Sequence, residues 1–145
     1  MLKSTSLRAD RREVLFRSAR SQVNDVGTEL RRLGTSHSTF QLETGWFVVG
    51  PTGLFVVAAD DGDLDAAARW AIDRAVAMRS ELADKLVWIP FVDAIVATQQ
   101  TTGTTGLPCL VVPTSLLRYT IEEGPRTVDD VTLSKLGLLA MRRLP

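Results

Sequence analysis

The chain opens with an amphipathic pattern that follows a short polar start. Residues 1–10 hold no apolar stripe and are expected to form a flexible arm. From residue 11 to residue 33, apolar side chains recur at helical spacing, at Leu15, Ala19, Val23, Val26, Leu30 and Leu33. This spacing predicts a helix with one buried face. Gly34 is suited to end it, because glycine takes the left-handed conformation without strain.

Two apolar runs rich in Val, Phe and Trp follow, at residues 40–49 and 53–59. Gly50-Pro51 and Thr52-Gly53 mark a turn between them, so the runs predict a β-hairpin. The second run, LFVVAA, is apolar at every position instead of alternating. This is typical of a central strand whose two faces are both covered.

A second helix is predicted over residues 64–85, and an acidic run precedes it. Its apolar residues are Leu64, Ala68, Ala71, Ala75, Met78 and Leu82, followed by Leu86. Asp63 is a good N-cap, while Asp60, Asp61 and Asp65 bring negative charge to the end that the helix dipole favours. Helix capping thus explains the acids; weak Mg²⁺ or Ca²⁺ binding and an acidic patch for a basic partner are the alternatives.

The rest of the chain predicts more strands and short helices. LVWIPFV and AIVAT resemble one buried strand that passes Pro90 and Asp93 through a bulge or break, and LPCLVV predicts another strand after the loop QQTTGTTG. Thr114 or Ser115 can cap a short helix through Tyr119, and Thr127 a final one. The order helix, strand, strand, helix, strand, strand, helix predicts a single α/β or α+β domain over residues 1–145.

Composition narrows the function classes. The chain has 145 residues, 45% of them hydrophobic, and no apolar run long enough to cross a bilayer. Its start lacks the apolar core of a signal peptide. We therefore expect a cytoplasmic protein without membrane contact. Residues 1–34 carry eight Lys or Arg against four Asp or Glu, and the remainder carries −4. The candidate partner contacts are Arg12, Arg17, Arg20, Arg31 and Arg32, although a solvated helix face is the simpler reading.

Other single residues give weaker signals. Cys109 lies in an apolar run and is expected to pack as a small hydrophobe. His37, the only histidine, is expected in an exposed loop. Trp70 falls off the main apolar stripe of the second helix and is a further candidate contact for a partner.

The hairpin VVGPTGLFVV, residues 48–57, resembles the core of the nuclease-related domain (NERD) family, within the PD-(D/E)XK restriction-endonuclease-like superfamily. The later segments VWIPFVDA and LPCLVVPTSLLRYT follow the family's order. The resemblance implies a restriction-endonuclease-like core of helices on a mixed sheet. It also implies two metal-binding acids and a lysine that helps to activate water. Carried across from the turn, these three positions fall at Gly45, Ala58 and Asp60, so all three groups are replaced.

Three functional hypotheses follow. The first is a pseudoenzyme without cofactor, a binding or scaffolding module whose partner is a protein or a second copy; DNA is a less favoured partner because the net charge is zero. The second is a Mg²⁺-dependent nuclease with a rearranged site made of Glu43, Asp60, Asp61 and Asp63. The third is a small homo-oligomeric structural protein.

Overall fold

A five-stranded mixed sheet organises the chain. The computed structural model describes residues 22–86, 90–99 and 105–143. The predicted arm, the start of the predicted first helix and Trp88 lie outside these residues. The elements are α1 (residues 22–31), β1 (Ser38–Gln41), β2 (Trp46–Gly50), β3 (Gly53–Ala59), α2 (Leu64–Ala83), β4 (Val92–Thr98), β5 (Leu110–Pro113), a 3₁₀ turn (Thr114–Leu116), α3 (Leu117–Glu122) and α4 (Asp130–Arg143).

The strands lie in the sheet in the order in which they occur in the chain. Strands β1, β2 and β3 form an antiparallel meander, and β3, β4 and β5 are parallel. Helix α2 connects β3 to β4, as a parallel pair requires a long crossover. The mixed sheet with helices confirms the predicted α/β class.

Helices cover both faces of the sheet. On one face, α2 and α4 bury Val49, Leu54, Val56, Val96 and their neighbours. On the other, α1 and α3 bury Val48, Phe55, Val57 and Ile95. Strand β3 therefore packs on both sides, as its unbroken apolar run predicts, and Val56 and Val57 are both fully buried.

The single strand predicted over residues 40–49 is wrong. The chain instead makes two strands, β1 and β2, joined by a tight turn in which the Leu42 N–H donates to the Gly45 carbonyl at 2.8 Å. The polar Glu43 and Thr44 are exposed there, so the apolar run that the sequence suggests is interrupted by a reversal of direction. The sheet consequently has one more strand than predicted before α2.

Several boundaries also differ from the prediction. Helix α2 ends at Ala83, and α3 extends to Glu122 without a capping side chain. Strand β4 starts at Val92 and continues without a break through Asp93, which pairs with Phe55. Thr127 does not cap the last helix; Asp129 does, because its carboxylate accepts the Thr132 N–H at 2.7 Å.

Candidate functional site

The two positions that the resemblance assigns to metal-binding acids lie next to each other. Trp46 pairs with Val57 across β2 and β3, so the residues one step further, Gly45 and Ala58, are neighbours at the edge of this pairing. Ala58 is only 3% exposed. The backbone thus brings together the places where a nuclease of this type would hold its metal, but neither side chain has an oxygen atom to offer.

Trp70 closes the space around Gly45. A Cβ atom at Gly45 would lie 2.3 Å from the Val57 carbonyl oxygen and 2.6 Å from the nearest Trp70 ring carbon. Real Cβ atoms essentially never come within 3.0 Å of such neighbours. The half-buried Trp70 ring packs against the core on the α2 face. Even a methyl group cannot enter here without movement of β3 or of the indole, so an aspartate does not fit.

Asp60, at the position that the resemblance assigns to a lysine, binds groups of its own chain. Its carboxylate accepts the Thr98 hydroxyl at 2.8 Å and the Gly62 N–H at 3.0 Å. Its own N–H donates to the Ala97 carbonyl at 2.9 Å. Asp60 therefore fastens the end of β3 to the end of β4 and shapes the turn into α2.

The other acids that the nuclease hypothesis assigns to a rearranged site have separate contacts. The Asp63 carboxylate accepts the Ala66 N–H at 3.0 Å and caps α2, as predicted. Asp61 is exposed, and Glu43 lies 3.9 Å from the Arg74 guanidinium. Across residues 22–86, 90–99 and 105–143, no group of three or more His, Cys, Asp or Glu side chains is placed to hold a metal ion. The residues at these positions do not fit the divalent metal that the resemblance implies.

A buried polar cluster at the end of β4 escaped the sequence prediction. Gln22 of α1 is 3% exposed, and its Nε2 donates to the Ala97 carbonyl and to the Thr114 hydroxyl, both at 2.9 Å. Both partners are acceptors here, which fixes the orientation of the amide. Gln22 thus ties α1 to β4 and to the 3₁₀ turn after β5. Nothing local marks it, because its partners are 75 and 92 residues away.

His37 lies in the loop before β1, as expected, but it is half-buried, so the expectation that it is exposed is wrong. Its ring lies against the Gly50 backbone, where a Cβ atom would be 2.1 Å from a ring carbon. Its Nε2 lies 3.0 Å from the Thr52 hydroxyl, which donates in turn to the Ile121 carbonyl. Because that hydroxyl already uses its proton, the histidine Nε2 carries a hydrogen and donates to it. Burial lowers the pKa of His37, against a smaller raising effect of Glu122.

Only some of the arginines predicted as partner contacts lie in the part of the chain that the structure describes. Arg31, the last residue of α1, and Arg32, in the turn directly after it, are both exposed. Arg32 pairs with Glu29 at 3.2 Å, and Arg31 donates to the Thr28 hydroxyl at 3.1 Å. Arg12, Arg17 and Arg20 lie outside the described residues. Trp70 turns toward Gly45 and the core, and its role as a partner contact stays a prediction.

A groove of about 1120 Å³ lies beside the start of β4. Its lining residues include Val76 and Arg79 of α2, together with Phe55, Phe91, Leu110 and Pro125. Asp93 and Cys109 also line it, and burial raises the pKa of both side chains; the charge of Asp65 raises that of the thiol further. Its walls are mainly apolar, and its titratable groups are few.

Comparison of the chain with protein-family models, with curated proteins and with solved structures finds no match. No helix in the described part of the chain has both the length and the hydropathy of a membrane span.

Proposed function

We propose that this protein is a non-catalytic, nuclease-like domain of the NERD type that acts as a binding or scaffolding module. The observation that carries the proposal is the packing around Gly45. The position expected to hold a metal-binding acid is filled by the Trp70 ring and the β3 backbone, beside the buried methyl group of Ala58. A hard cation such as Mg²⁺ needs several oxygen ligands, and this place offers no side-chain oxygen.

The order of elements supports the same proposal. A β2–β3 hairpin is followed by the crossover helix α2 and the parallel strand β4, which is the order that the resemblance implies. Both faces of this sheet are covered by helices, and its core is intact. A retained frame with a filled catalytic position favours a role for the surface of the domain.

The test is a cleavage assay on single-stranded and double-stranded DNA with Mg²⁺ and with Mn²⁺. The wild-type chain is assayed beside the triple variant Asp60→Ala, Asp61→Ala, Asp63→Ala. Both proteins are taken from chromatography fractions that elute at the size of the folded protein. We expect neither of them to cleave DNA above the protein-free background.

Two results would contradict the proposal. Cleavage by the wild type that the triple variant lacks would show a rearranged acidic site and favour the nuclease hypothesis. Because Asp60 and Asp63 also support the fold, Asp61→Ala alone serves as the control for a simple loss of structure. Equal cleavage by both proteins, coeluting with the folded chain, would place a catalytic site elsewhere on the domain.

A further inference from the structure

Strand β4 extends beyond its neighbour β5, and this difference leaves part of a sheet edge open. Residues Val92–Thr98 form β4, and its pairing with β3 runs from Val92 to Ala97. Its pairing with β5 begins only at Ile95, which lies opposite Leu110. On the β5 side, the segment Val92–Ala94 therefore has no strand partner among the described residues.

This open edge has a definite hydrogen-bonding requirement. Peptide groups in a sheet alternate between the two neighbouring strands, so part of the Val92–Ala94 backbone points toward the missing neighbour. The pairing of Ile95 with Leu110 begins the β5 ladder, and no backbone hydrogen bond from another described residue reaches Val92 on that side. Backbone N–H and C=O groups need partners, and an open edge is a template for another strand. An α-helix cannot supply such partners, because its own peptide groups are paired internally.

The groove beside this edge has exposed apolar walls. On the α2 side, Val76 is 66% exposed and Phe91 is 68% exposed, and Leu110 at the start of β5 is 49% exposed. All three line the same groove. Exposed apolar side chains gathered in one concave place mark an interaction surface more often than scattered ones do.

Charges on the two sides of the strand differ in sign. The Arg79 guanidinium lies 5.9 Å from the centre of the Phe91 ring, on the α2 side, and no ion pair of the described residues engages it. Asp93 points to the opposite face, because Val92 and Val96 pack on the α2 side and side chains alternate along a strand. A strand bound here would meet a cation on one face and a carboxyl group on the other.

We propose that this groove binds an extended peptide segment of a partner protein, which adds to β4 in line with β5. Its side chains toward α2 would be apolar with one acidic residue for Arg79, and the alternate position facing Asp93 would be basic. This inference deepens the proposed function and relies on it only for the expectation that the domain is a binding module. The mode is strand addition, in which backbone bonds give affinity and alternate side chains give specificity.

The experiment starts from a phage-displayed library of random heptapeptides, selected against the immobilised 145-residue chain. Enriched peptides are synthesised, and their affinities are measured by fluorescence anisotropy. We expect alternating sequences with one acidic and one basic residue on opposite faces. Val76→Glu and Arg79→Glu should each weaken binding by about tenfold or more, since they change the apolar wall and reverse the cation.

Matched control variants separate these effects from changes in folding. Val131 on α4 is 66% exposed, like Val76, and does not line the groove. Arg69 is exposed on α2, about 15 Å along the helix from Arg79. Val131→Glu and Arg69→Glu should change peptide affinity by less than about twofold. Amide hydrogen exchange should slow for at least one residue of Val92–Ala94 when the peptide binds, which binding to the apolar wall alone would not produce.

Three results would overturn the inference. The first is that no peptide is enriched over a selection against an unrelated protein. The second is that the peptides bind wild type and Val76→Glu equally well. The third is that peptide binding leaves amide hydrogen exchange at Val92–Ala94 unchanged. A dimer that Val76→Glu dissociates would instead assign the groove to a second copy. The cleavage assay on the same preparation keeps the proposals apart. Peptide binding together with DNA cleavage would refute only the non-catalytic function, and the absence of both would refute only the groove.

Discussion

Replacing Gly45 by alanine tests whether the close packing around this position is a firm property of the fold. The added methyl group would lie 2.3 Å from the Val57 carbonyl oxygen and 2.6 Å from the Trp70 ring. The first contact is with the backbone of the central strand β3, which cannot retreat without disturbing its pairing with β2 at Trp46. The second is with a large ring that packs against the core.

The expected cost follows from these two overlaps. Inserting one methyl group into a packed region typically costs about 1–3 kcal/mol, and two simultaneous contacts of this kind place the estimate at about 2–4 kcal/mol. Trp70→Ala removes only the contact with the ring. In the Trp70→Ala background, Gly45→Ala should therefore lower the free energy of unfolding by less than it does in the wild type. The coupling energy between the two substitutions should be about 1 kcal/mol, because the contact with the Val57 carbonyl oxygen persists.

Urea unfolding followed by circular dichroism measures the effect. With an m-value of about 2 kcal/mol/M, the midpoint for Gly45→Ala should fall by about 1–2 M. Gly106→Ala is the matched control, because a Cβ atom there meets no atom within 4 Å. A loss below about 0.5 kcal/mol for Gly45→Ala would refute the reasoning, since the position could then accept a carboxylate after a small adjustment.

Three further predictions concern stability. Asp63→Ala should cost about 1 kcal/mol in urea unfolding because α2 loses its cap, whereas the exposed Asp61→Ala should cost less than about 0.5 kcal/mol. Gly137→Ala should raise stability by about 0.5–1 kcal/mol, because Gly137 lies in α4 with open space around it; a loss would show an unrecognised contact. Burial lowers the pKa of His37, so the folded state favours the neutral ring: the free energy of unfolding should fall as the pH drops below about 6.5, and His37→Gln should flatten this slope.

The elements that the sequence predicted well are those whose signals are local. Strand β3 is apolar at every position, and it lies in the sheet between β2 and β4 with both faces covered. Helix α2 begins after Asp63, as the cap and the apolar spacing predict. These signals depend on residues within one or two turns of each other, so the chain carries them regardless of its distant parts.

The site could be predicted only in part. The sequence shows that Gly45, Ala58 and Asp60 lack the groups of a nuclease. It does not show that an indole fills the space, because Gly45 and Trp70 are 25 residues apart and meet only when α2 docks on the sheet. The break between β1 and β2 was missed for a related reason: the apolar residues on its two sides look continuous until the strands pair.

By itself, then, the sequence determined the element types, the cap of α2 and the absence of a metal-binding set at the expected positions. The tertiary structure decided that Gln22 and Asp60 both bind the Ala97 carbonyl, and that β4 begins at Val92 whereas its pairing with β5 begins only at Ile95. The physical reason is the range of the interactions. Periodicity and capping act between near neighbours, whereas strand register and helix docking bring together side chains whose separation along the chain carries no signal.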